Sequence, residues 1–282
     1  ASKRSLGHAP TAAENAVIPS APANQPVISG TISPVCQNLT IQAGASLSIT
    51  ATTLNNALLT ASGSASILGS LTISGSIGKT GKLAVQDITW ASGSSYTGNL
   101  ASGIEVSGNW QFSAGSAVTM GLSTVTFTGA TTAYIYSFSA SSQFTGVNID
   151  KGAGNYLYIH STSTATLKFG GMVTLTSGIF IGLPNITTIF SNNIAGSGQY
   201  MFQDGTVSLE KSSGTQSVVT NPANYFNNLT VNTGGTVTFT GNTQVRKNLV
   251  IQAGVLDPQG FQIEIRGNWT NNVGTAGFTE GT

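Results

Sequence analysis

Asn38-Leu39-Thr40-Ile41-Gln42-Ala43-Gly44, followed by Leu47-Ser48-Ile49, is the stretch on which the fold turns. Apolar and hydroxyl residues alternate within it, so an extended chain presents one apolar and one polar face, and glycine ends the first run. The pattern returns as Asn228-Leu229-Thr230-Val231, with Gly234 and Val237-Thr238-Phe239 at the same internal offsets. It returns again as Asn248-Leu249-Val250-Ile251-Gln252-Ala253-Gly254. A short strand recurring at fixed spacing is one unit of an array in which each unit buries its apolar face against its neighbours.

Longer matches enclose these. Ile104-Glu105-Val106-Ser107-Gly108-Asn109-Trp110 is answered by Ile263-Glu264-Ile265-Arg266-Gly267-Asn268-Trp269, and Thr124-Val125-Thr126-Phe127 by Thr206-Val207-Ser208-Leu209. Phe144 to Asp150 matches Phe226 to Asn232, and Phe202-Gln203-Asp204-Gly205-Thr206 reappears as Phe278-Thr279-Glu280-Gly281-Thr282. The matches divide the chain into a lead-in, 1–35, a less regular stretch, 36–123, and two repeat units, 124–205 and 206–282. The second unit stops mid-repeat, which points to a fragment or to a subunit end completed by another molecule.

Three or four strands of about five residues plus turns make a coil of roughly twenty to twenty-five residues, and coils stack at ~4.8 Å. The expected fold is therefore all-β, a right-handed parallel β-helix, with tandem β-sandwich domains as the alternative. Sandwich hairpins call for regular Asn-Gly or Asp-Gly turns, and Asp204-Gly205 is the sole Asp-Gly. The lead-in holds Pro10, Pro19, Pro22, Pro26 and Pro34 and reads as an extended arm with Val17-Ile18 and Val27-Ile28 as edge strands. Thr11-Ala12-Ala13-Glu14 has the spacing of a capping box, but no helical apolar period follows.

Only 7% of residues are charged, with a net charge of +1. The Lys and Arg residues are scattered, which gives no electrostatic footprint for nucleic acid or an anionic membrane. No stretch is apolar enough to span a bilayer, so neither nucleic-acid binding nor membrane insertion is expected. No signal sequence opens the chain, and an exported form would have lost it already. Cys36 is the only cysteine and reads as a small buried hydrophobe.

These motifs resemble the secreted and surface β-solenoid repeats common in Bacteroidota, found inside very large extracellular proteins exported by the type IX system. The resemblance is carried by Pro10 to Pro19, Pro26-Val27-Ile28, Cys36-Gln37-Asn38-Leu39-Thr40-Ile41 with Gly44-Ala45-Ser46-Leu47, and the two Gly-Asn-Trp triplets. Val125-Thr126-Phe127-Thr128-Gly129 and Phe226-Asn227-Asn228-Leu229-Thr230 extend it over nearly the whole chain. It implies a non-catalytic, extracellular stalk, adhesin or filament module. The secretion-type C-terminal domain carried by such proteins is not in this sequence.

β-Helices also serve as polysaccharide lyases and hydrolases, which need converging carboxylates. The nine acidic residues are Glu14, Asp87, Glu105, Asp150, Asp204, Glu210, Asp257, Glu264 and Glu280, none within two positions of another. The expectation is no catalytic residue, no metal site and no cofactor. Tyr156, Tyr158 and His160 share one face of a strand and form a candidate glycan surface, with the unrepeated Trp90 as a second candidate. The bland reading of the trio is an exposed strand face. Trp110 and Trp269 read as repeat-defining core or edge-sealing residues. The pairs Thr124/Thr126, Thr174/Thr176 and Thr238/Thr240 raise ice binding, which a plain solvated face answers as well. The sequons at Asn38, Asn185, Asn228 and Asn268 coincide with strand starts, where asparagine ladders explain them. Self-association by strand addition would place the contacts at Val17, Ile18, Val27, Ile28, Phe278 and Thr282. Other copies of the repeat, a glycan or a host surface are the expected partners.

Overall fold

The computed structural model describes residues 9–20, 24–31, 33–183 and 185–280. The fold is an all-β solenoid of about 11 turns, built from parallel strands stacked in coils. The described residues contain no α-helix, and a 3₁₀ turn spans Gly274–Gly277. Hydrogen bonds between neighbouring coils commonly span 20 to 26 residues of sequence. The chain divides into two compact units, residues 1–129 with 141–146, and residues 130–140 with 147–282.

In the first unit each full coil has three strands, giving three columns. One column stacks Ala16–Ile18, Leu39–Ile41, the end of Ala57–Ile67, the end of Gly81–Trp90 and Trp110–Phe112. The next stacks Val27–Ser29, Ser46–Thr50, Ser70–Ser74 and Ser95–Gly98. The last stacks Val35–Cys36, the starts of the two long strands, Ser102–Val106 and Thr124–Phe127. Both edge strands expected in the lead-in form, Val17-Ile18 beside Thr40-Ile41 and Val27-Ile28 beside Ser48-Ile49. Thr11 to Glu14 closes a turn, with the Glu14 carboxylate accepting the Thr11 amide at 2.8 Å, and no helix follows.

Period-two alternation sends every second side chain inward, where like stacks on like. Leu47 lies in register with Leu71 and Tyr96, and Ile41 with Ile67, which aligns with Trp90 and then Phe112. Cys36 is buried and burial pushes its thiol pKa up, away from nucleophile behaviour. Trp110 packs on Trp90, Phe112, Phe127 and Phe144 at 5.0 to 6.2 Å. At the corner after the third column, Asn38 donates to Asn15 at 2.8 Å and accepts the Ser64 amide at 2.8 Å, and Asp87 accepts the Asn109 amide at 2.6 Å.

The second unit repeats the three-column plan. Its first column runs Ala133–Ser137, Tyr156–Ile159, Ile179–Gly182, Gln199–Phe202, Tyr225–Phe226, Thr243–Val245 and Ile263–Ile265. Its second includes Leu167–Phe169, Thr187–Phe190, Thr206–Leu209, the starts of Asn228–Phe239 and Leu249–Asp257, and Trp269–Asn271. Stacked phenylalanines fill its interior, with Phe169 on Phe190 at 5.0 Å and Phe202 on Phe226 at 6.1 Å. The recurring asparagine explains itself here. Asn228 Oδ1 accepts from the Asn248 amide and side chain at 3.3 and 3.2 Å, and Asn248 Oδ1 accepts the Asn268 amide at 3.0 Å. At a coil break the strand ladder lapses, and a side-chain carbonyl replaces the missing backbone acceptor.

Candidate functional site

The candidate surface lies on the outward face of the second unit's first column. Tyr156, Tyr158 and His160 alternate with the buried Leu157 and Ile159, so the strand's period turns all three outward. Register then places Tyr134 beside Tyr158, and the neighbouring strand adds Tyr136, with Phe138 just beyond it. The rings form one array. Tyr156 stacks on Tyr158 at 5.5 Å and 27°, Tyr158 on Tyr134 at 5.6 Å and 23°, and Tyr136 on Phe138 at 6.3 Å and 28°. His160 lies 4.5 Å from Tyr136 and edge-on to Tyr134 at 5.1 Å.

Further along the column amide and apolar side chains mix, with Gln199 beside Ile179 and Gln244 beside Tyr225, and Ile181 and Tyr225 are themselves buried. Ile179 and Ile181 lie beside Tyr156 and Tyr158, Met201 beside Ile181, and Tyr225 beside Met201. Arg246 closes the stripe with its guanidinium 3.3 Å above the Tyr225 ring, a cation–π contact. The Thr162 amide donates to His160 Nδ1 at 3.2 Å, which leaves the neutral ring's proton on Nε2. Burial, reinforced by Tyr156 and Tyr134, raises the Tyr158 phenol pKa.

Rings that stack on one another occupy each other's faces. What the array offers to solvent is mainly ring edges and phenol hydroxyls, suited to hydrogen bonding more than to a sugar lying flat on an exposed ring. Tyr134, Tyr136 and Phe138 escaped the sequence reading, although Tyr134-Ile135-Tyr136 stands about one coil before Tyr158-Ile159-His160 and shows the same alternation. Trp90 is a correction. It is 0% exposed, packed edge-on against Tyr96 at 5.8 Å and beside Trp110, and belongs to the core.

The acidic side chains serve local structure. Glu105 pairs with Lys82, and Glu264 with Arg266 at 2.8 Å. Asp150 accepts the Ser177 hydroxyl at 2.6 Å, Glu210 the Ser208 hydroxyl at 2.7 Å, and Asp257 the Gln259 amide at 2.8 Å. Asp204 caps its own turn at Gly205 and meets Asn227. Among the described residues no three His, Cys, Asp or Glu side chains gather as a metal site. The Thr pairs do not build a continuous threonine array, although Thr240 Oγ1 accepts the Thr220 amide of the neighbouring coil at 3.1 Å. Thr126 lies beside Glu105, Thr174 beside Asn148 and Ala195, and Thr238 beside Ser217 and Asp257.

Lys151 was also missed, because Asp150-Lys151-Gly152-Ala153-Gly154 reads as a solvated turn. Its side chain is 1% exposed and burial lowers its amine pKa. Of the residues assigned to assembly, Val17 and Val27 are exposed, Ile18 is buried and Ile28 half-buried. Phe278 bridges to Leu256 and meets Trp269 edge-on at 4.8 Å, and Thr282 lies outside the described residues. No described helix is long and apolar enough to cross a membrane. No protein-family model matches the sequence, and no curated protein or solved structure matches it either.

Proposed function

We propose that this chain is a non-enzymatic structural module of an extracellular or cell-surface protein, a stalk, adhesin or filament segment of the kind its Bacteroidota-like repeats suggest. One observation carries the reading: eight of the nine acidic side chains take part in a local hydrogen bond at a turn or strand end, an inter-coil hydrogen bond or an ion pair. Carboxylates held this way stabilise coils and are not aimed together at a reacting bond. The near-absence of net charge on a Ser-, Thr- and Gly-rich exterior fits a load-bearing surface with little non-specific electrostatic attraction.

The test is atomic-force pulling of the intact chain, together with incubation on a polysaccharide panel. Stepwise unwinding that recovers on relaxation, with no release of new reducing ends, is the expected result. Saturable polysaccharide turnover that vanishes on substituting a single carboxylate would overturn it.

The aromatic array favours a second reading, in which the module also contacts glycans through its phenol edges. A glycan array on wild type and Tyr158→Ala decides it. Saturable binding lost in the variant supports the contact, and identical profiles remove it.

A further inference from the structure

The seven tyrosines divide by environment. Tyr96, Tyr200 and Tyr225 are buried, whereas Tyr134, Tyr136, Tyr156 and Tyr158 stand half-buried together on the outward face of the second unit's first column. Tyr134 and Tyr158 differ from the other two. They lie directly opposite each other on neighbouring parallel strands, flanked by the inward pairs Ala133 with Leu157 and Ile135 with Ile159. Among the described strand pairings no other tyrosine faces a tyrosine. The two rings are 5.6 Å apart and within 23° of parallel. On its other flank Tyr158 lies beside the aliphatic Ile181.

Two phenols held this way are oriented for oxidative coupling, which turns a chance encounter into a step within one molecule. A tyrosyl radical carries spin on the ring carbons beside its oxygen, and a bond between two such carbons needs the rings side by side at one height. Register supplies this, because opposite residues on parallel strands project their side chains in the same direction. The bond draws the rings closer than they stand. Strands ~4.8 Å apart allow that more readily than positions about 6.6 Å apart along one strand. Tyr156 and Tyr158 are therefore the poorer pair, although their rings are 5.5 Å apart. Tyr156 and Tyr136 act as relays instead. Tyr156 stacks on Tyr158, and Tyr136 lies 6.2 Å from Tyr134 at 45°, so a radical made at either passes to the pair by electron exchange. Cys36, Trp90 and Trp110, which would otherwise intercept an oxidant, are buried, and Trp269 and Met172 are the open exceptions.

We propose that Tyr134 and Tyr158 form an oxidative cross-linking site, at which hydrogen peroxide acting through a haem peroxidase joins one coil to the next by a dityrosine bond. Each phenol gives up one electron and one proton. The two radicals couple ring carbon to ring carbon, and the hydrogens on the bonded carbons shift to the oxygens and restore both phenols. The peroxide takes up both electrons and both protons and leaves as two waters. The product closes a covalent loop from Tyr134 to Tyr158, which a chain with a single cysteine cannot close by a disulfide. Such a bond stabilises as a disulfide does, by restricting the unfolded chain. The assignment rests on ring geometry alone and holds whether or not the phenol edges bind glycans.

The experiment treats the intact chain at micromolar concentration with a plant haem peroxidase and hydrogen peroxide, and follows dityrosine fluorescence, intact mass and tryptic peptides. Trypsin cuts after Lys82, Lys151 and Lys168, which puts Tyr134 and Tyr158 in separate peptides. The expected product is a monomer lighter by two hydrogens in which those two peptides are joined, with a thermal melt raised by roughly 5 °C. Tyr134→Phe and Tyr158→Phe keep both rings in place, and each is expected to lower the yield of the joined peptide about tenfold or more. Tyr136→Phe and Tyr156→Phe keep that yield within about threefold, since each removes only a relay. The proposal is overturned if no joined peptide forms, or if coupling appears only as a covalent dimer between two chains. It is equally overturned if only Tyr156 and Tyr158 couple, or if the joined peptide survives undiminished in Tyr134→Phe or Tyr158→Phe.

Discussion

Tyr200 shows how burial of one residue sets the protein's behaviour in alkali. Its ring lies 5.1 Å from Phe226 in the core of the second unit, and burial drives the phenol pKa far up, outweighing the opposing Asn224 contact. A free phenol titrates near 10.0, so above that pH the unfolded chain loses a proton that the folded chain keeps. Stability from this group is complete below pH 10 and falls by about 1.4 kcal/mol per pH unit above it. Tyr96 and Cys36, both raised by burial, act in the same direction. Lys151 acts in the opposite one. Its amine pKa is lowered, so below the ordinary 10.5 the unfolded chain binds the extra proton and stability rises with pH. Tyr200→Phe is expected to lose about 1 kcal/mol less than wild type between pH 10 and 11, read from urea denaturation at each pH. Parallel losses would mean that the folded phenol ionises freely and that Tyr200 is not sealed in the core.

At the scale of the strand, equal sequence positions differ in consequence. Trp110 and Trp269 each follow Gly-Asn and open a strand, yet Trp110 is fully enclosed and Trp269 is 41% exposed. Trp110→Ala is expected to cost about 3–5 kcal/mol and Trp269→Ala about 1 kcal/mol or less, measured by chemical denaturation. Equal costs would show that Trp269 is covered in solution. The repeat was legible in the sequence because a coil assigns the same duty to the same offset: asparagine at the break, glycine at the turn, aliphatics inward. Trp90 was not, because Gly81–Trp90 passes through two columns without a turn residue. Leu83 and Val85 point inward, the chain bends at Gln86-Asp87, and Ile88 and Trp90 point inward again, so parity counted from the strand's start is inverted. The aromatic array was half legible, since its register joins Tyr134 to Tyr158 only once the coil length is fixed.

For the molecule as a whole, a coil touches chiefly the coil on either side, so stability accumulates by nearest-neighbour terms. Excising residues 229–248 removes one whole coil and joins Asn228 to Leu249, leaving Asn228 to accept the Asn268 amide as Asn248 does now. The shortened chain is expected to keep strand-type circular dichroism and a cooperative melt a few degrees lower, while excision of 229–238 leaves the chain unfolded. Equal collapse of both deletions would refute this. The asparagine column thereby sets the unit in which such a chain can change length. A gain or loss of whole coils passes unnoticed by the interior, and any other length of insertion must be expelled as a loop at a corner. Growth by duplication of whole coils is therefore almost free for this architecture, and coil lengths that already differ by several residues place their surplus at the corners, away from the stacked interior.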